Sequence, residues 1–173
     1  MNGPRGCTGP SRLAPGERYL ATARRIGEGA ASFERAADGL LAWRMHELAG
    51  VHVRGRHGVA PRAAEVGAVV SVRLGPTALR LVGLCRVEDL VVTDHEVALT
   101  YRTLDEHVED GVQTFRVVRC EDGAVEGAIE SWSQARHPVL RRLGPVGMLG
   151  QQLVADRYLG ALARLAAGES GIR

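Results

Sequence analysis

Apolar residues along this chain follow first one period and then another. From Glu17 to Gly27, Tyr19, Ala21 and Ala23 are interleaved with Arg18, Arg24 and Arg25, which predicts a short first strand. The Gly27-Glu28-Gly29 turn then hands over to a helix, with Ser32 placed to cap it and Glu34 near its positive end. Phe33, Ala36, Ala37, Leu40, Leu41, Met45 and Leu48 recur at three-to-four spacing and give that helix one buried face, which Gly50 ends.

Beyond Val51-His52-Val53 and a polar loop from Arg54 to Glu65, the period changes to two. Val66-Ala68-Val70-Val72-Leu74 alternates, as does the run from Leu79 and Leu81 to Val87. A turn at Thr93-Asp94 introduces Val97-Leu99-Tyr101-Thr103. Gln113-Phe115-Val117 comes next, and the Asp122-Gly123 hairpin signal leads into Val125-Gly127-Ile129-Ser131. Gly144-Pro145 opens a long last helix with the stripe Leu149, Leu153, Val154, Tyr158, Ala161, Leu162 and Leu165, and Gly168 stops it. Gly147, Gly150 and Gly160 each weaken that helix by about 1 kcal/mol, so close approach to a sheet or a ligand is expected there.

This order predicts an α+β domain: a curved antiparallel sheet of six to seven strands gripping a long C-terminal helix, with a cavity between them suited to a small molecule. The expected boundaries are a loose tail over 1–16, rich in Gly, Pro and Arg, and a single domain over 17–168.

Composition narrows the function classes. With 173 residues, 45% of them hydrophobic, the chain can bury a sizeable core. Its formal charge is +2 and its basic residues are all Arg, scattered rather than clustered, so nucleic acid is not an expected partner. No membrane span or signal-peptide core is present, which points to a cytoplasmic protein, monomeric or a homodimer. Cys7, Cys85 and Cys120 show no disulfide or zinc spacing. Nor is there a nucleophile elbow, phosphate loop or dinucleotide fingerprint, so no cofactor is expected.

Chemistry concentrates between two strands. Asp105, Glu106, His107, Glu109 and Asp110 place five ionisable groups in six positions. Crowded carboxylates raise one another's pKa, and a histidine among them could relay a proton, which makes the segment a candidate acid/base site. The alternative is a solvated acidic turn. Asp105 continues the parity of Tyr101 and Thr103 and would then face inward; a turn beginning earlier would reverse it. The same residues with His46 offer a carboxylate-imidazole set for a metal, but the spacing matches no metal motif and none is expected.

Leu41-Ala42-Trp43-Arg44-Met45-His46, Tyr101-x-Thr103-Leu104-x-x-His107-x-Glu109-x-Gly111-x-x-x-Phe115, and Gly144-Pro145-Val146 through Gln151, Arg157-Tyr158-Leu159 and Ala161-Leu162 resemble uncharacterised protein family 0548, in matching order from about Tyr19 to Leu165. The family is similar to the helix-grip superfamily of pollen allergens, lipid-transfer domains and polyketide cyclases, which implies that fold. The family pattern reads Tyr-Gly-Thr-Leu-Pro-Gly-His-Pro-Glu, whereas this chain has Arg102, Asp105-Glu106 and Val108 at the departing positions. His107, Glu109 and Gly111 are kept. The departures suggest a specialised member.

The catalytic candidates are therefore Asp105, His107, Glu109 and Tyr101. Trp43, His46, Thr103, Phe115 and Trp132 are candidates for lining the substrate pocket. Trp43 and His46 share a helix face and could stand at its mouth; packing by the Trp and a surface His is the plainer alternative. Trp132 alternates with Ser131 and Ser133, and parity alone does not say which of them faces inward. The expected function is cofactor-independent cyclisation, dehydration or isomerisation of a polyketide-like apolar molecule. The alternative is a non-catalytic binder of a lipid or small molecule.

Overall fold

The change of period marks a real division of labour between helices and sheet. The computed structural model describes residues 17–55, 58–74, 81–104, 109–135 and 144–169. In chain order these form β1 (Glu17–Glu28), α1 (Gly29–Leu41), α2 (Arg44–Leu48), β2 (Val51–Arg54), β3 (Val69–Leu74), β4 (Leu81–Val92), β5 (Glu96–Thr103), β6 (Glu109–Arg119), β7 (Ala124–Ala135) and α3 (Gly144–Ala166). The strands make one antiparallel sheet in the order β1-β7-β6-β5-β4-β3-β2. It is a meander from β2 to β7, closed at one side by the N-terminal strand. The sheet curls around α3, which packs on β1, β7 and α1. The predicted α+β architecture is the one found.

Successive inward rows run across the central strands, because period-two side chains in register share one face. Val97, Val117 and Gly127 form one row, and Leu99, Phe115 and Ile129 the next. All six are buried. Tyr101, Gln113 and Ser131 follow, then Gly111 paired with Ser133, with Thr103 next to Gly111. The inward face thus turns from hydrocarbon to hydroxyl and amide towards the end of the sheet that carries the acidic segment.

Several local expectations are corrected. Helix α1 starts at Gly29 rather than being capped by Ser32, and no side chain caps it. Instead the Gly29 N–H donates to the Gly123 carbonyl at 2.8 Å, so the predicted Asp122-Gly123 hairpin turn satisfies an orphan helix donor. The first helix does not run unbroken to Leu48. It stops at Leu41, and Trp43 takes a left-handed backbone, φ 62° and ψ 5°, before α2 begins. Trp43 is the only residue other than glycine with positive φ among the described residues. Val66 and Leu153, expected on buried faces, are exposed, at 62% and 55%. Strand β3 begins only at Val69; among the described side chains of α3 the buried stripe is Ala155, Tyr158, Leu159, Ala161, Leu162, Leu165 and Ala166, and that of Leu149 lies outside them.

The close approach expected at Gly150 and Gly160 of α3 falls elsewhere, and the surroundings of Gly147 lie outside the described residues. A Cβ at Gly150 would meet open space, and one at Gly160 only an Arg24 nitrogen at 3.9 Å. A Cβ at Gly39 would lie 2.6 Å from a Leu165 methyl, so it is α1 that needs a glycine to seat against α3. Arg35 of α1 closes the same contact by donating from Nε and Nη2 to the Ala166 carbonyl at the end of α3. Among the described residues no helix is long and apolar enough to cross a membrane.

Candidate functional site

The helix break at Trp43 brings two side chains into the heart of the molecule. Trp43 is 2% exposed and His46 is fully buried. The plainer expectation, a surface histidine, is thereby overturned. The imidazole lies 5.0 Å from the Trp43 ring, 5.0 Å from Phe115 on β6, 5.2 Å from Tyr158 on α3 and 5.9 Å from Tyr101 on β5, measured between centroids. Phe115 and Tyr158 meet edge to face at 5.0 Å and 81°, a favoured aromatic geometry. Four elements distant in sequence therefore build one aromatic cage around a single histidine.

The cage leaves polar atoms without partners. Trp43 Nε1 and both His46 ring nitrogens are buried and make no hydrogen bond. An orphaned buried donor or acceptor costs about 1–3 kcal/mol, and aromatic ring faces accept N–H groups only weakly. Folded proteins carry few such atoms, and each calls for a cause. Three of the four found among the described residues belong to these two neighbouring side chains.

Burial fixes protonation. It pulls the His46 pKa from 6.5 down to about 3, so the imidazole is neutral at pH 7 and presents one donor and one acceptor. Burial likewise raises the Tyr101 phenol well above its ordinary value, with smaller contributions from Tyr158 and Cys85. It also raises Tyr158. The Cys85 thiol is pushed up to about 12 by burial. Every ionisable group of the cage is thus uncharged.

Around the cage, most polar groups are paired. The Tyr101 hydroxyl donates to Gln113 Oε1 at 3.0 Å. Gln151 of α3 donates from Nε2 to the Ser133 hydroxyl at 3.0 Å, joining helix to sheet. Thr103 Oγ1 accepts the Gly111 N–H at 2.8 Å and lies 3.3 Å from the Gly111 carbonyl, to which it donates. A Cβ at Gly111 would sit 2.6 Å from the Trp132 carbonyl oxygen, so this position admits only glycine.

The structure gathers Trp43, His46, Tyr101 and Phe115 in one cluster. Thr103 faces inward, two residues beyond Tyr101, but its hydroxyl is engaged by Gly111. Trp132 lies apart: it pairs with Tyr19 and Val112 on the outer face, so Ser131 and Ser133 are the inward residues of β7. Asp105 and His107 lie outside the described residues, as does the side chain of Glu109, whose backbone opens β6. Sequence reasoning missed Tyr158, read only as part of an apolar stripe, and Gln113 and Gln151. A signal existed for both glutamines. Gln113 shares the parity of Phe115, and Gln151 stands seven residues before Tyr158 on the same helix face. Among the described residues no three potential metal-binding side chains converge.

The fold is similar to that of several solved structures. Hypothetical protein jhp0584 from Helicobacter pylori matches with a TM-score of 0.66 at 13% identity, over 96% of this chain and 99% of that one. Truncated norcoclaurine synthase from Thalictrum flavum matches with a TM-score of 0.54 at 14% identity, over 90% and 97%. Ara h 8.0201 matches with a TM-score of 0.50 at 10% identity, over 85% and 98%. At such identities the likeness is one of fold, the helix grip. No curated protein matches the sequence. A match over residues 4–161, nearly the whole chain, places the protein in the family described as domain of unknown function DUF1990.

Proposed function

We propose that the protein binds a small, largely apolar molecule between the curled sheet and α3. One observation supports this above the others: the unpartnered nitrogens of Trp43 and His46 inside an aromatic cage. A purely structural core would be more stable with hydrocarbon at those positions, so their retention fits a site that a ligand completes. Native mass spectrometry of the purified protein tests the reading. A small molecule retained under gentle conditions and released on denaturation is the expected result. If the chain flies bare and takes up nothing from fractionated cell extract, the reading fails.

On that molecule we propose cofactor-independent acid/base chemistry: cyclisation, dehydration or isomerisation of a polyketide-like substrate. Asp105 or Glu109 would serve as the general acid/base with His107 as partner, while Tyr101 or His46 orients a carbonyl. The observation in favour is the register of β5 and β6. Tyr101 lies two residues before the end of β5, about 7 Å along the strand, and its partner Gln113 lies four residues after the start of β6 at Glu109. Asp105→Asn and Glu109→Gln should abolish turnover of a co-purified precursor and leave its binding intact. Full activity in both variants would remove the acidic segment from the mechanism and favour a non-catalytic carrier.

A further inference from the structure

We infer that the molecule bound here presents to Trp43 and His46 an uncharged polar end carrying both a carbonyl-type acceptor and a hydroxyl or amide donor, and that carboxylates and ammonium groups are excluded from the cage. The inference rests on the small-molecule reading and specifies the chemistry of that same site.

The count of unspent hydrogen-bonding capacity sets the terms. The Trp43 indole offers one donor and no acceptor, and a neutral imidazole offers one donor and one acceptor. Two donors and one acceptor therefore stand unmatched in the cage. A carbonyl oxygen, with two lone pairs, can answer both donors; the remaining imidazole nitrogen calls for an O–H or N–H. The neighbouring Tyr101 hydroxyl has spent its proton on Gln113 and does not donate to the imidazole.

Charge is excluded by what surrounds these atoms. Among the described residues His46 and Ser133 are the only buried polar or charged ones, so none of the described residues packed into the cage brings a formal charge to balance a buried ion. The imidazole itself stays neutral to about pH 3. Desolvating an unpaired carboxylate or ammonium costs far more than desolvating a neutral amide or hydroxyketone. A wholly apolar ligand would leave the three nitrogens as orphaned as before.

Four probes of one shape separate these possibilities: naphthalene, 2-acetylnaphthalene, 2-naphthamide and 2-naphthoate, measured by equilibrium dialysis at pH 7. The amide should bind about tenfold or more tighter than naphthalene and the carboxylate, with the ketone between, since each added hydrogen bond contributes a factor of about five to ten. His46→Leu and Trp43→Phe should each shrink the advantage of the amide over naphthalene by about that factor, the ratio being read within each variant so that a general change in ring contact cancels. Either variant suffices if the other fails to fold. Equal binding of naphthoate and naphthamide, or an amide preference untouched by both substitutions, overturns the inference while leaving the small-molecule reading standing. If none of the four binds and no co-purified molecule is present, both fall. A co-purified molecule that proves to be an acid or an amine at its polar end overturns the inference alone.

Discussion

The Trp43 and His46 rings lie 5.0 Å apart and tilted by 57°, across a helix break that Trp43 makes with its own left-handed backbone. An uninterrupted helix would carry these positions straight on from α1. The break starts the short α2 instead, and that turn carries His46 to full burial against Phe115 and Tyr158. Strain and unpaired polarity are thus concentrated in two residues, a pattern more typical of working sites than of cores.

Removing the imidazole should stabilise the protein. His46→Leu replaces two orphaned nitrogens with hydrocarbon of similar volume, and the gain should be about 1–2 kcal/mol. For a domain of this size that corresponds to roughly 2–4 °C in Tm for each kcal/mol. Thermal denaturation of the ligand-free variant checks it; an unchanged or lowered Tm would mean that the imidazole is satisfied in solution.

The same variant should flatten the acid limb of stability. His46 is depressed from 6.5 to about 3 in the folded protein, so between those values the unfolded chain holds the extra proton. The contribution of the neutral imidazole is then complete above pH 6.5 and is lost as pH falls towards 3, at up to about 1.4 kcal/mol per pH unit. Denaturant titrations at pH 7, 6 and 5 should show this slope in the wild-type protein, and a slope smaller by about that amount in His46→Leu. Parallel curves would contradict it.

At Trp43 the usual order of alanine and glycine should invert. Truncation to Ala removes a large buried side chain, at a cost of about 3–5 kcal/mol, and leaves a Cβ in the left-handed region. Trp43→Gly makes the same cavity without that Cβ, so it should be more stable than Trp43→Ala by about 1 kcal/mol. Urea unfolding of the two variants decides; if Ala is the more stable, the left-handed turn is absent in solution.

Two glycine-to-alanine changes should act in opposite directions. Gly39→Ala drives a Cβ into Leu165, which is 3% exposed and has little room to yield, and should cost about 1–3 kcal/mol. Leu165→Ala should absorb part of that loss in the double variant, a coupling measurable by a double-mutant cycle. Gly150→Ala meets only open space inside α3 and should stabilise by about 0.4–1 kcal/mol.

The sheet was legible in the sequence because period two survives wherever one face is buried, from Val97 through Ile129. The face of α1 was equally plain. The break at Trp43 was not: no Gly or Pro marks it, and tertiary packing of the indole outweighs a helix-compatible local sequence. Without the break, the depth of His46 could not be read. Tyr101 and Phe115 were placed correctly by parity, whereas Trp132 needed the register with Tyr19 to show that it faces outward. The departure Arg102 is explained by that same outer face, where its Nε meets Glu88 Oε1 at 2.6 Å in an exposed ion pair worth little to stability. Asp105, His107 and the Glu109 side chain lie outside the described residues and stay with the proposal.

The bond between Thr103 and Gly111 rivets the ends of β5 and β6 to each other through one hydroxyl and one peptide group. The register of Tyr101 against Gln113, and with it the cage, thus hangs on a fastening that lies outside the acidic side chains themselves.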